Sequence, residues 1–477
     1  MISNVQKLIL IIAAIALVSA SGFNQKAMNS IRRDVGLTRV EPLENAPPML
    51  AFSTVALGGF RGIIANLLWM RANRLQVDGK YFELVQLSDW ITKLQPNFTH
   101  VWKHLAWNMS YNISRNFRSK EDRWLWVQSG LELLRDRAIP LNPNKAVLYE
   151  ELAWILHDKM GKKIDDAHFH FKEIWAQEFN ELIMNYYPDL QVLVDPKNED
   201  QKESAQRLRE VHKMDPVLIL EIEEKYGPLD WRITDSHAIY WAAQGLKKSP
   251  EKSIVLKRAI WQSMKATFDR GRLIVNPWGQ SLEYGPNLAV AEKVNQIILE
   301  LIDETPEKKE YISRAHKNFL EDATYYFFTH NLKFEANQYF QKLQELYPDA
   351  VQEGVLIEDF VVERVITFSD LNPARARLLV EGYLQNYFYY VALQEDEIAM
   401  GNYAMAEQVR QKYNQKVKDR IQEIGLPSIE ELGEQKAREI ISRKLSTNFT
   451  PEMIDVLKAR VDGFAELEPK PEIDSEI

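Results

Sequence analysis

Asp165, Asp166, His168, His170 and Glu173 bring carboxylates and imidazoles together within one short stretch of the chain. On a helix, Asp166 and His170 stand four apart and Glu173 three further. That spacing makes a carboxylate–histidine–carboxylate ridge able to bind a cation or move protons. The aspartates equally suit the first turn of a helix, whose dipole favours negative charge without any function. His100 and His104, also four apart, would share a helix face, yet no carboxylate or third histidine lies near them in sequence. Trp231, Arg232, His237, Tyr240 and Trp241 suit either a pocket for an anion or peptide carboxylate, or the packing of one helix on its neighbour. Trp102, Trp107, Asn108, Tyr111 and Asn112 interleave aromatic rings with amides. Within them His104, Asn108, Tyr111 and Asn112 form a polar i, i+4, i+7, i+8 stripe, with Trp102, Leu105 and Met109 turned to the core.

Much chemistry is excluded. No nucleotide loop, serine elbow or HExxH occurs, so neither a cofactor nor a resident metal is expected. Zero cysteines rules out disulfides, thiolate metal sites and a cysteine nucleophile. A net charge of −9 over 477 residues argues against nucleic acid as the main partner. A hydrophobic content of 45% is ordinary globular usage, and 19 glycines are few for a many-turned β fold.

The elements that must carry these residues show a repeat. Four tracts end in proline followed by Asn or Asp, at Pro96, Pro143, Pro188 and Pro348. Twelve, nine and five residues before the prolines stand Leu84, Leu131, Ala176 and Ala336; Leu87, Leu134, Phe179 and Tyr339; and Ile91, Ala138, Ile183 and Leu343. Steps of three and four put these on one helical stripe, and the proline stops the helix. Gly79-Lys80-Tyr81 and Asn331-Leu332-Lys333 read as inter-helix turns, and Gly401-Asn402-Tyr403 as a third. Ala72, Ala106 and Ala323 stand where helix A would pack tightly on helix B. This pattern resembles the tetratricopeptide repeat (TPR) family, although Pro96 to Pro143 spans 47 residues and Pro143 to Pro188 spans 45, against a period of about 34. The resemblance implies stacked helix pairs and a concave groove in which Asn and aromatic side chains hold an extended peptide.

At the N-terminus, Leu8–Phe23 is a 16-residue apolar run, about 24 Å as a helix, slightly short of a ~30 Å hydrocarbon core. It reads as a signal-anchor, with a cleaved signal ending at Ala20 as the runner-up. Met49–Met70 is also apolar, but Arg61 within it argues for a juxtamembrane segment over a second span. The first 80 residues carry nine Lys/Arg and four Asp/Glu, a basic stem suited to anionic lipid.

The expected fold is all-α: an α-solenoid of TPR-like helix pairs with an irregular helical centre and an N-terminal transmembrane helix. Its parts are a signal-anchor (1–24), a juxtamembrane linker (25–62), a first array (63–194), a linker with irregular helices (195–288), a second array (289–425), a helical cap (426–465) and an acidic tail (466–477). Asp195–Gln206 is expected to be a charged linker, Thr450 to cap a helix at Pro451, and sheet to be almost absent. The expected function is a non-catalytic, membrane-anchored scaffold with an extracytoplasmic, periplasmic body, binding a protein or peptide partner through His104, Asn108, Tyr111 and Asn112. The alternatives are a metal-assisted hydrolase using Asp166, His170 and Glu173, and a periplasmic ligand-binding protein using the Trp231–Trp241 group.

Overall fold

All twelve stripe residues before the four prolines are buried, none more than 6% exposed. The computed structural model describes residues 28, 30, 31, 61–250, 253–275, 282–365, 373–441, 449–464 and 467. Leu8–Phe23, the Ala20 cleavage position and most of the acidic tail lie outside them. Among the described residues, no helix is long and apolar enough to cross a membrane. The described fold is all-α except for one two-stranded hairpin. It comprises two units, one of Met1–Lys172, Gln206–Met214 and Trp241–Leu256, the other of Glu173–Ala205, Asp215–Tyr240 and Lys257–Ile477.

In the first unit, α1 (Arg61–Val77) and α2 (Tyr81–Leu94) form a hairpin. Its turn is set by Gly79 at φ 71°, with Lys80 N–H donating to Leu75 O at 2.8 Å and Gly79 N–H to Gln76 O at 3.1 Å. This left-handed cap satisfies two carbonyls that the helix end would otherwise leave bare. α3 (Thr99–Trp107), α4 (Lys120–Glu132) and α5 (Ala146–Trp154) follow, and each runs on into a π-helical segment: Asn108–Ile113, Leu133–Ala138 and Ile155–Met160. The longer period between prolines is accommodated in these extensions. α4 closes on the first π segment at Gly130, where a Cβ would lie 2.2 Å from Ser110 Oγ and 2.9 Å from Ala106 O.

The helix-stopping prolines also anchor the next helix. Trp102, six residues after Pro96, donates its indole N–H to Pro96 O at 2.8 Å. Tyr149, six after Pro143, donates its hydroxyl to Pro143 O at 2.9 Å. Each bond satisfies a carbonyl that the broken helix cannot. α6 (His168–Leu182), most of which belongs to the second unit, follows, then α7 (Glu199–Glu210), which is divided between the units and occupies the expected linker. Its Glu, Lys, Gln and Ala are good helix formers, Asn198 Oδ1 caps it at Gln201 N–H (2.9 Å), and Ala205 and Leu208 give it a buried face.

In the second unit α8 (Pro216–Tyr226) precedes α9 (Thr234–Lys248), which begins there, and then α10 (Ser253–Arg270). The antiparallel strands β1 (Arg272–Val275) and β2 (Leu282–Gly285) pair Leu273 with Tyr284. Beyond them lie α11 (Ala291–Glu304), α12 (Lys309–Thr329), α13 (Lys333–Leu346), α14 (Ile357–Val365), α15 (Pro373–Ala392), α16 (Asp396–Lys416), α17 (Ile429–Ile441) and α18 (Pro451–Arg460). Asn331 (φ 59°) makes the same cap between α12 and α13 as Gly79 does. The third turn is not at Gly401. Gln394 (φ 61°) makes it, with Glu395 N–H donating to Tyr390 O and Gln394 N–H to Val391 O. Gly401 lies inside α16, where only a residue without a Cβ fits, since a Cβ there would overlap Thr329 O, only 1.5 Å away. Thr450 caps α18, accepting from Met453 N–H.

Candidate functional site

In the first unit, side chains link α1, α3 and the π segment after α5. Trp69 and Gln76 of α1 meet His104 of α3: the Trp69 and His104 rings lie edge to face at 5.1 Å, and His104 Nε2 is 2.8 Å from Gln76 Oε1. With the Gln76 amide oxygen facing it, His104 Nε2 is the donor in this contact. From His104 the ladder continues to Trp107 at 6.3 Å and to Tyr111, stacked on Trp107 at 5.9 Å. Tyr111 donates its hydroxyl to Asp158 Oδ2 at 3.2 Å. Trp154 of α5 is 37% exposed, with the Lys162 ammonium 5.1 Å over its ring. Trp69, His104, Trp107, Tyr111 and Asp158 are all half-buried, so a partly accessible aromatic and amide face runs over α1, α3 and the π segment after α5.

Charges are buried directly beneath. Glu151, 3% exposed, pairs with Lys103 at 3.1 Å, and burial pushes its carboxyl above the usual range against that lysine. Burial, then the Asp158 carboxylate, drives the Tyr111 phenol far up. Lys159, fully buried, donates to Asp165 Oδ2 at 2.5 Å, while its Nζ sits 5.4 Å over the Tyr111 ring. Asp165 also accepts from Arg123 Nη1 at 3.0 Å and Ala167 N–H at 2.9 Å. Burial opposes its ionisation, but those donors prevail and hold it at about 2. Burial lowers His104, so it is neutral at neutral pH. Nδ1 of His104, Nδ2 of Asn108 and Oε1 of Glu151 are buried without a hydrogen-bond partner in the protein. Each such group costs about 1–3 kcal/mol.

The polar stripe read from sequence divides here. His104 and Tyr111 reach the face, Asn112 is half-buried, and Asn108 is fully buried with its Oδ1 accepting from Asn112 Nδ2 at 2.8 Å. Trp69, Gln76, Glu151, Asp158 and Lys159 join them, and no local motif marks these five. Trp107 is the one further residue that the interleaved aromatics and amides did point to.

The hydrolase ridge is not assembled as a metal site. Asp166 is bonded to the Arg123 guanidinium, and among the described residues no three His, Cys, Asp or Glu side chains could hold a metal ion. The local reason is that Asp165 and Asp166 both face Arg123 ahead of α6.

The second aromatic group holds a loop in place. Trp231 is buried and donates Nε1–H to Glu223 Oε2 at 3.0 Å. His237 Nε2 donates to Trp231 O at 2.8 Å and its ring packs on Phe179 at 4.0 Å. Tyr240 accepts from Asp215 N–H at 2.7 Å. Arg232 is clamped on Asp230, whose Oδ2 also accepts from Leu273 N–H of β1. Glu223 gathers Tyr187 O–H, Leu229 N–H and Trp231 N–H, with burial pushing its carboxyl up. Trp241 falls in the first unit and is buried there. No protein-family model, no curated protein and no solved structure matches this chain.

Proposed function

We propose that α1 to α5 form a TPR-like stack whose α1–α3–α5 face holds an extended polypeptide, the chain acting as a non-catalytic adaptor tethered by Leu8–Phe23 with its body outside the cytoplasm. The observation that carries this reading is the half-buried ladder Trp69–His104–Trp107–Tyr111, crossing from one helix pair to the next beside Asp158 and Lys162. An extended chain offers peptide planes and alternating side chains, which stacked rings and fixed amide or carboxylate groups can grip without enclosing a reaction. Repeated helix pairs suit long surfaces of this kind. A tether would raise the local concentration of a membrane partner.

The test places a photo-crosslinking phenylalanine at Trp107 or Trp154 in cells, with Leu378, exposed in the second unit, as the control. Adducts at 107 and 154 should map to one linear segment of a partner. A synthetic peptide of that segment should then bind the full chain about tenfold or more weaker after Trp107→Ala, as expected of an aromatic anchor. Equal adducts at 378, or a peptide indifferent to Trp107→Ala, sinks the proposal. Carbonate extraction with protease treatment of cells stripped of their outer layer tests the tether: a retained chain with a digested body supports it, and a released or protected body overturns it.

A further inference from the structure

α1 is apolar on two opposite faces. Ala65, Ala72 and Leu75 are buried in the core shared with α2. On the other side, Ile63, Leu67, Met70 and Val77 are between 55% and 87% exposed. Their spacing of four, three and seven keeps them on one outward stripe, and exposed Arg74 falls in the gap with exposed Arg71 beside it. A helix apolar on both sides is ordinarily covered on both. The sequence around it is equally one-sided in charge: from Asn45 to Val77 there are three arginines and neither Asp nor Glu, in a chain whose net charge is −9. A protein surface covering the stripe would need no such purge of carboxylates. An anionic lipid surface would, because each carboxylate there meets a negative headgroup potential.

We infer that the outer stripe of α1 lies on an anionic bilayer, with Ile63, Leu67, Met70 and Val77 seated at the headgroup–acyl boundary and Arg71 and Arg74 on phosphates. The arginine stems extend along the apolar stripe while their guanidinium groups stay in the polar layer. Trp69 and Gln76 point the other way, to His104, so bilayer contact leaves the ring ladder uncovered. The contact adds to the tether proposed above and does not depend on it, since α1 itself makes it.

The chain has no cysteine, so Leu67→Cys or Met70→Cys gives one site for an environment-sensitive dye, and Phe334→Cys, 72% exposed in the second unit, gives a control. The full chain is reconstituted with phosphatidylcholine vesicles containing about a third phosphatidylglycerol and a nitroxide-labelled acyl chain. Dyes at 67 and 70 should be quenched by the nitroxide, and the dye at 334 should not. Charge neutralisation by Arg71→Gln and Arg74→Gln together should cut the quenchable population about 25-fold, about fivefold per arginine. A blue-shifted dye that the lipid nitroxide cannot quench means that protein, the chain's own 49–60 segment or a second copy, covers the stripe, and overturns the inference. An aqueous emission overturns it too. Carbonate extraction of the same sample separates the two ideas: a retained chain with unquenched dye sinks only the bilayer contact, and a released chain whose dye was quenched sinks only the tether.

Discussion

Asp165 is the counter-ion of the buried Lys159, and replacing it with alanine tests how much the first unit depends on that pair. Its side chain is 0% exposed and that of Lys159 1% exposed, with 2.5 Å between Oδ2 and Nζ. Asp165→Ala leaves a buried ammonium without its counter-ion, a change that costs about 3–5 kcal/mol. The native ion pair has its own pH signature. Lowered from 3.8 to about 2, Asp165 contributes about 2 kcal/mol. That stability is fully present above about 3.8, where the unfolded carboxyl is also ionised, and is lost as pH falls through 2. Hydrogen exchange on the full chain, read on peptides spanning Ala146–Leu182, should show protection falling by a factor of about 100 to several thousand in Asp165→Ala. Lys159→Met should cost less, because Arg123 and Ala167 N–H remain on Asp165. The double variant Asp165→Ala/Lys159→Met should recover most of the loss, since apolar packing removes the need for the pair. A loss below about tenfold for Asp165→Ala, or no recovery in the double variant, would refute the argument that this pair secures the segment beneath Tyr111.

Three further tests address other parts of the fold. His316 is buried between Asn295 and Tyr347, and burial lowers it to about 4; the unfolded chain therefore takes up its proton first, and α11–α13 should lose about 3 kcal/mol between pH 6.5 and 4. His316→Gln should flatten that dependence in exchange measured at pH 7.5 and 4.5, and an unchanged slope would rule out His316 as its source. Gly401→Ala should destabilise the second unit by about 1–3 kcal/mol despite alanine's better helix propensity, because Thr329 O occupies the Cβ position; a raised melting temperature would contradict the close approach. Trp102→Phe keeps a six-membered ring but deletes the bond to Pro96 O and the buried pyrrole half of the indole, and should cost about 2–4 kcal/mol, visible as faster exchange at 95–105.

What could be read from the sequence, and what could not, divides along one physical line. Burial at 3.6-residue spacing was legible: Leu84, Leu87 and Ile91 before Pro96, and their counterparts before the other prolines, are core residues. Turn chemistry was legible at Gly79 and Asn331, where residues tolerant of positive φ supply the cap. It failed at Gln394, which gives no such signal and takes the left-handed conformation because the helices on either side fix its place. The glycine seven residues on was mistaken for the turn because Gly also serves close helix approach. Asp195–Gln206 misled through its charge, since Glu, Lys and Gln read as solvated linker while also favouring helix. The candidate face was the least legible part, and the π segments explain why. Each admits an extra residue into a turn, so side chains beyond it rotate by roughly 100° relative to a continuous α-helix. Asn108 opens the first of these segments and is buried, while Tyr111 within it reaches Asp158. Two consecutive leading helices carry such a segment where the rings and buried charges meet. Helical spacing found His104 and Tyr111 but could not find Gln76 and Asp158, which distant elements bring to them. The informative signal was compositional: Asn and aromatic residues interleaved at 102–112, just past the proline that ends the preceding helix.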